Sequence, residues 1–214
     1  MTEPVKQRRP YRSAVRDERA RETRRRILDA AAARFLELGY ARAPIRRIAE
    51  DAAVSEDLVF HLFKSKRGLL KEVMDVGIGG DDADVALLER PEPLLVRDEV
   101  DQRRQIEVFA AGVGAQLERV RPLDDMLRSA AVVDDELAGL RADLQLRQRR
   151  EAMTTITRWI AARGPLRQEV DEAAALVWTL TSPEVHHMLT DGWGWAPEQY
   201  VAWLRTNLEA ALLG

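Results

Sequence analysis

Apolar residues recur along this chain at helical spacing, and nowhere do they alternate with polar ones long enough to describe a strand. Ile27, Leu28, Ala31, Phe35 and Leu38 form one stripe with arginines elsewhere, which predicts a helix from about Arg16 to Leu38. Gly39 supplies the left-handed residue that ends it, and Tyr40 is expected to fold back onto the last turn. A second helix is expected from Pro44, which suits a first helical position because its missing N–H has no partner there. Ile45, Ile48, Ala49 and Ala52 are its buried face. Ser55 can cap a third helix carrying Leu58, Val59, Leu62 and Phe63. Ser65 can cap a fourth carrying Leu69, Leu70, Val73 and Met74, which the Gly77–Gly80 cluster closes.

Beyond that cluster the pattern stays helical. Residues 81–90 predict a short helix, and Pro91-Glu92-Pro93 predicts a break. A long helix over 97–120 carries Ile106, Phe109, Ala110, Val113 and Leu117, and Pro122 starts a brief one to about Val132. Asp134 or Asp135 caps a long arginine-studded helix that ends near Gly164-Pro165. Residues 169–191 are interrupted at Ser182-Pro183, where proline must kink or restart the helix, and Pro197 opens a last helix to 213. The expectation is an all-α chain of about nine to ten helices in three parts. These are a flexible basic arm over 1–15, a helical head over 16–80 and a helical body over 81–214.

Composition narrows what such a chain can do. It has no cysteine, which excludes disulfides, thiolate metal sites and cysteine nucleophiles, and which fits a cytoplasmic protein. No run approaches the ~18 apolar residues of a membrane span. The net charge of −3 hides an asymmetry. Residues 1–71 hold 18 Lys and Arg against 10 Asp and Glu, whereas residues 72–214 hold 15 against 26. A basic front on an acidic body suggests that only the front meets a polyanion; an arginine-rich tail would give the same count.

Residues 44–63 read as a short helix, a tight connection and an N-capped second helix, apolar only where the two meet. The second helix of such a pair can enter a DNA major groove about 12 Å wide while the first crosses the backbone. The wider string runs Thr23-Arg24-Arg25-Arg26-Ile27-Leu28-Asp29-Ala30-Ala31, Phe35-Leu36-Glu37-Leu38-Gly39-Tyr40, Ile48-Ala49, Ala52-Ala53-Val54-Ser55 and Phe63-Lys64-Ser65-Lys66 with Leu69-Leu70. It resembles the N-terminal domain of TetR-family regulators over about residues 20–75. Leu180-Thr181-Ser182-Pro183-Glu184, Gly192-Trp193 and Trp203-Leu204 resemble the family's tail more loosely.

The resemblance implies a helix-turn-helix head whose third helix, Ser55–Leu62, reads operator DNA, followed by a ligand-binding and dimerisation domain. The DNA-facing set it implies is Arg46, Ser55, Glu56, Asp57, Phe60, His61, Lys64 and Lys66. Lys66 beside a helix N-terminus suits a phosphate clamp, or is a solvated lysine; His61 is a base reader or a solvent-facing residue. Arg8, Arg9 and Arg12 are candidates for a minor-groove arm. This chain departs from the family pattern at Ala43-Pro44, where hydroxyl residues are usual, and at Ala53, where glycine is. It departs again at Leu58, Phe60 and Leu62, and at Gly68, where an acid would complete a capping box.

In the body, Phe109, Met126, Met153, Trp159 and Trp178 are candidates for an apolar ligand pocket, and equally for plain core. Tyr200, Trp203, Leu204, Leu208, Ala211 and Leu212 make a broad apolar face on the last helix, read as a homodimer interface or as intramolecular packing. His186 and His187 point about 100° apart on a helix, so no metal site is expected, and no cofactor. No acid–base pair or nucleophile turn is recognisable, which argues against an enzyme. The expected function is a regulator, of repressor type, binding palindromic operator DNA as a homodimer with an apolar small molecule as effector. The alternative is the same fold as a dimeric interaction module with a degenerate head.

Overall fold

A computed structural model describes the backbone of residues 11–214, with side chains from Arg16 onward. Arg8 and Arg9 lie outside the described residues. Every regular element among those described is helical. The chain divides into two compact units, one ending at Val73 and the other beginning at Met74.

In the first unit, α1 (Tyr11–Arg42) starts several residues before the expected Arg16, so the backbone of Arg12 is helical and not part of an extended arm. Gly39 breaks α1 at φ 75°, ψ 160°, a region that disfavours any side chain, and the Tyr40 ring turns back to 5.7 Å from Phe35. α2 (Ile45–Asp51) and α3 (Glu56–Phe63) follow. Pro44 is the extended residue that caps α2 at ψ 142°, one place earlier than expected, and its carbonyl accepts from Arg47. Ile27, Phe35, Ile48, Val59, Leu69 and Leu70 are buried. Each contributes about 1.5–3 kcal/mol by leaving water. An Arg34–Asp51 pair (2.5 and 2.9 Å) ties α1 to α2 at the surface.

α4 (Lys66–Gly79) runs past the division into the second unit. A 3-10 turn at Leu87–Glu89 stands where a short helix was expected. α5 (Pro91–Asp98) occupies the predicted break. Pro91 and Pro93 fall in its first turn, where backbone N–H groups have no intrahelical acceptor, so the prolines open a helix instead of ending one. α6 (Gln102–Ala130), capped by Asp101 on Arg104 N at 2.8 Å, runs straight through Pro122. A restart had been expected there; packing of Leu117, Val120, Leu123 and Leu127 holds the helix despite one lost hydrogen bond.

α7 (Asp135–Ala142), capped by Asp134, and α8 (Arg149–Ala161) are joined without a break by a π-helical segment, Asp143–Gln148. α9 (Val170–Leu180) stops before Ser182, whose hydroxyl accepts from Val185 N at 3.1 Å to restart the chain as α10 (Pro183–His187). α11 (Pro197–Leu212) closes the unit. Its core lies among α6, α8, α9 and α11. At Gly114 any β-carbon would collide with Val201, so glycine is what lets α6 and α11 approach. Gln105, fully buried on α6, donates to Val96 O (2.8 Å) and pins α5 over this core.

Candidate nucleic-acid interface and ligand cavity

The turn between α2 and α3 is a Schellman closure. Val54 N donates to Ala49 O (3.0 Å) and Ala53 N to Glu50 O (3.1 Å), which satisfies carbonyls that a helix end leaves open. The closure requires a left-handed residue, and Ala53 takes that role at φ 53°. Alanine there costs on the order of 1 kcal/mol relative to glycine.

Ser55 then caps α3, its hydroxyl accepting from Leu58 N at 3.2 Å. Val59 and Phe63 turn inward, whereas Glu56, Asp57, Phe60, His61 and Leu62 face solvent. Phe60 at 45% and Leu62 at 39% exposure are large apolar side chains with no place in the core. Glu56 and Asp57 sit in the first turn, where the helix dipole favours carboxylates. Arg46 projects from α2, 76% exposed, paired to Glu50 at 2.9 Å and within the field of Glu56; these partners raise its pKa. Arg47 beside it is 67% exposed, a second cation on this face that the family pattern does not single out.

After α3 the chain makes a tighter turn. Lys64 has φ 67°, ψ −39°, and Ser65 N donates back to Phe63 O at 2.8 Å, the strained form of a γ-turn. Ser65 caps α4 by accepting from Gly68 N at 2.9 Å. The Lys64 ammonium donates to His61 O (2.7 Å), so it closes α3. Lys66 donates to Ala41 O (3.2 Å) and lies 4.6 Å from the centre of the Tyr40 ring; burial lowers its pKa. Both lysines are thus engaged within the head.

The second unit holds two adjoining hollows of about 540 and 380 Å³, which share Leu88, Val113, Gln116 and Met153. Phe109 lines the smaller and Met153 both. Met126, Trp159 and Trp178 line neither. Trp159 is packed against the core, and Trp178 donates its indole N–H to Gln145 O (3.2 Å) beneath the Arg149 guanidinium. The larger hollow has polar wall residues that sequence reasoning missed: Asp124, Gln145 and Arg149. A signal was available for Asp124. It falls on the buried stripe Leu117, Val120, Leu127, where an acid is out of place.

The face read as a dimer interface needs correcting. Tyr200, Leu204, Leu208 and Leu212 are completely buried within the protomer, packed into the core among α6, α9 and α11. Trp203 and Ala211 are half-buried. Tyr200 donates to Leu180 O (3.1 Å), and burial pushes its phenol pKa upward. The face α11 turns to solvent carries Ala202, Thr206 and Ala210, with Met188 and Trp193 exposed just before it.

His186 is buried against Glu118 (2.8 Å) and edge-on to Tyr200. His187 lies with Asp125 and Asp191, their potential ligand atoms within 4.8 Å of one another. Arg128 pairs with Asp125 (2.8 Å) and Arg121 with Asp191 (2.6 Å), so this group is an ion-pair network.

A helix, a left-handed turn and a capped helix with a solvent-facing side define a helix-turn-helix head on an all-helical body. Residues 27–73 match the family model described as bacterial regulatory proteins, tetR family. An uncharacterized HTH-type transcriptional regulator of Bacillus subtilis, YvkB, is 43% identical over 54 residues, a span covering 25% of this chain and 29% of that protein. Among solved structures, NalD of Pseudomonas aeruginosa, the secondary repressor of the MexAB-OprM multidrug efflux pump, superposes with a TM-score of 0.66 at 20% identity, covering 91% of this chain and 98% of its own. A Saccharomonospora viridis protein assigned as a transcriptional regulator, in complex with choline, gives 0.65 at 20% identity, covering 90% and 98%. Residues 27–73 thus carry a tetR-type helix-turn-helix head, and the chain as a whole shares the fold of these solved structures.

Proposed function

We propose that this protein is a repressor that binds palindromic operator DNA as a homodimer, with α3 in the major groove and Arg46 and Arg47 against the phosphates. The observation that carries this reading is the outward face of α3, capped at Ser55 and keeping Phe60, His61 and Leu62 in solvent. His61 is the polar base reader. Phe60 and Leu62 are suited to thymine methyl groups and sugar edges. The basic residues ahead of α1 serve as an arm, α1 to Val73 as the head and Met74–Gly214 as the regulatory body. We place the protein in the cytoplasm, with the DNA; none of its described helices is long and apolar enough to cross a membrane.

Two recognition helices about one DNA turn apart require a dimer. We assign its interface to the solvent side of α11, where Ala202, Thr206 and Ala210 permit close helix approach and Trp193 supplies apolar area. The hollows of the second unit are the effector site, a reading supported by the choline held by the S. viridis neighbour.

Footprinting on DNA flanking the coding region tests the proposal. The expected result is a protected palindrome whose affinity falls steeply with salt. Equal, weak binding to all DNA would instead favour an interaction module, the reading that the carboxylates Glu56 and Asp57 at the tip of α3 support.

A further inference from the structure

The larger hollow is walled mainly by aliphatic side chains, and its polar atoms are unevenly satisfied. Its cations are engaged, Arg147 by a carboxylate and Arg149 by neutral acceptors alone. Arg149 donates to Trp178 O and, at 2.8 Å, to Thr181 Oγ1. Arg147 is held by both oxygens of Asp143 (2.5 and 3.0 Å). The acceptors are not spent. Asp124, 5% exposed, accepts from Gln145 Nε2 across a long 3.3 Å, and Gln145 Oε1 is buried with no donor among the described residues. Arg141, the cation with most influence on Asp124, is claimed by Glu184. A buried carboxylate so weakly compensated is costly, and burial duly raises the Asp124 pKa.

The π-helical segment contributes to this arrangement. Its wider register carries both Leu144 and Gln145 in the wall, opposite Asp124 on α6. The wall thus offers two neighbouring acceptors at the edge of an apolar chamber.

We propose that this cavity binds an amphipathic ammonium compound, an alkyl or aryl amine whose cationic nitrogen donates to the Asp124 carboxylate and the Gln145 side-chain carbonyl. The apolar part of the ligand lies along Val113, Leu117 and Met153. An anionic ligand meets the Asp124 carboxylate and has to draw Arg149 away from Trp178 O and Thr181 Oγ1, and a neutral alcohol leaves the carboxylate uncompensated. The inference rests on the reading of this hollow as the effector site and adds the charge and polarity of its ligand.

The test is calorimetric titration of the full chain, without DNA, using n-octylamine, n-octanol and octanoate at neutral pH. Octylamine should bind once per protomer, and Asp124→Asn should weaken it roughly tenfold or more while moving octanol less than about twofold, the margin of a charge-assisted hydrogen bond. Gln145→Leu, which removes the second acceptor, should weaken octylamine in the same direction and serves if Asp124→Asn melts early. Octanoate binding as tightly as octylamine, or octylamine binding unchanged in both variants, overturns the proposal. So does the absence of binding by all three probes. Footprinting of the same sample then shows separately whether the regulator reading stands.

Discussion

The carbonyl oxygen of Phe63 occupies the space that a β-carbon on residue 68 would need. Phe63 O is turned there by the γ-turn at Lys64, and Gly68 is three residues beyond the Ser65 cap, inside the first turn of α4. The missing capping-box acid therefore has a steric cause: any side chain at 68 collides with backbone.

Glycine to alanine inside a helix ordinarily stabilises by up to about 1 kcal/mol. At Gly68 the sign reverses. Gly68→Ala should destabilise the head by about 1–3 kcal/mol through overpacking against a carbonyl that cannot move aside cheaply. Urea unfolding followed by circular dichroism reads the change, and a stability gain would show that the turn opens freely.

Ala53 presents the opposite case. Its φ of 53° strains an L-residue, and the site is exposed. Ala53→Gly should raise stability by about 1 kcal/mol or less, the relief being partly offset by glycine's extra freedom in the unfolded chain. The midpoint of chemical unfolding measures it.

The two faces of α11 should behave differently. Leu204→Ala, inside the protomer core, should cost about 2–5 kcal/mol in unfolding free energy. Ala210→Arg, on the solvent side, should leave the fold intact and halve the mass seen by light scattering, together with loss of operator affinity. A variant that stays dimeric would move the interface elsewhere.

Arg46→Ala should weaken binding to all DNA sequences alike and lower the slope of log affinity against log salt by about 1, as expected for one phosphate contact. Fluorescence anisotropy on operator and scrambled duplexes separates this from a base-reading role, which would relax specificity at one position.

His186 makes stability depend on pH. Burial outweighs the attraction of Glu118 and Asp191 and holds the imidazole below its ordinary pKa, with Arg121 acting in the same sense. A depressed folded value means that the stabilisation is complete above the unfolded pKa of about 6.5 and is lost as pH falls below it. The melting temperature of the parent should therefore drop between pH 7 and 5 more than that of His186→Gln. Parallel profiles would exclude His186 as the source.

Much of the fold was legible in local chemistry. Gly39, Ser55, Asp134 and Ser182 each mark a helix end because the groups that close a helix lie within a few residues of it. Prolines misled at Pro91-Glu92-Pro93 and at Pro122, because whether proline opens, ends or merely weakens a helix depends on packing that comes from distant chain. The same limit explains α11. A stripe such as Tyr200, Leu204, Leu208 and Leu212 says that a surface is covered, not whether its own protomer or a second copy covers it. Asp124 and Gln145 are 21 positions apart in sequence and meet only when α6 packs beside the π-helical segment.

Pro122 brings no N–H, so the carbonyl one turn back on α6 loses its usual donor next to the cavity wall. Across the chamber the facing helix is already wound out of its ordinary pitch. Two stretches of weakened backbone hydrogen bonding thus border one chamber, and its walls there are softer than the rest of the helical core.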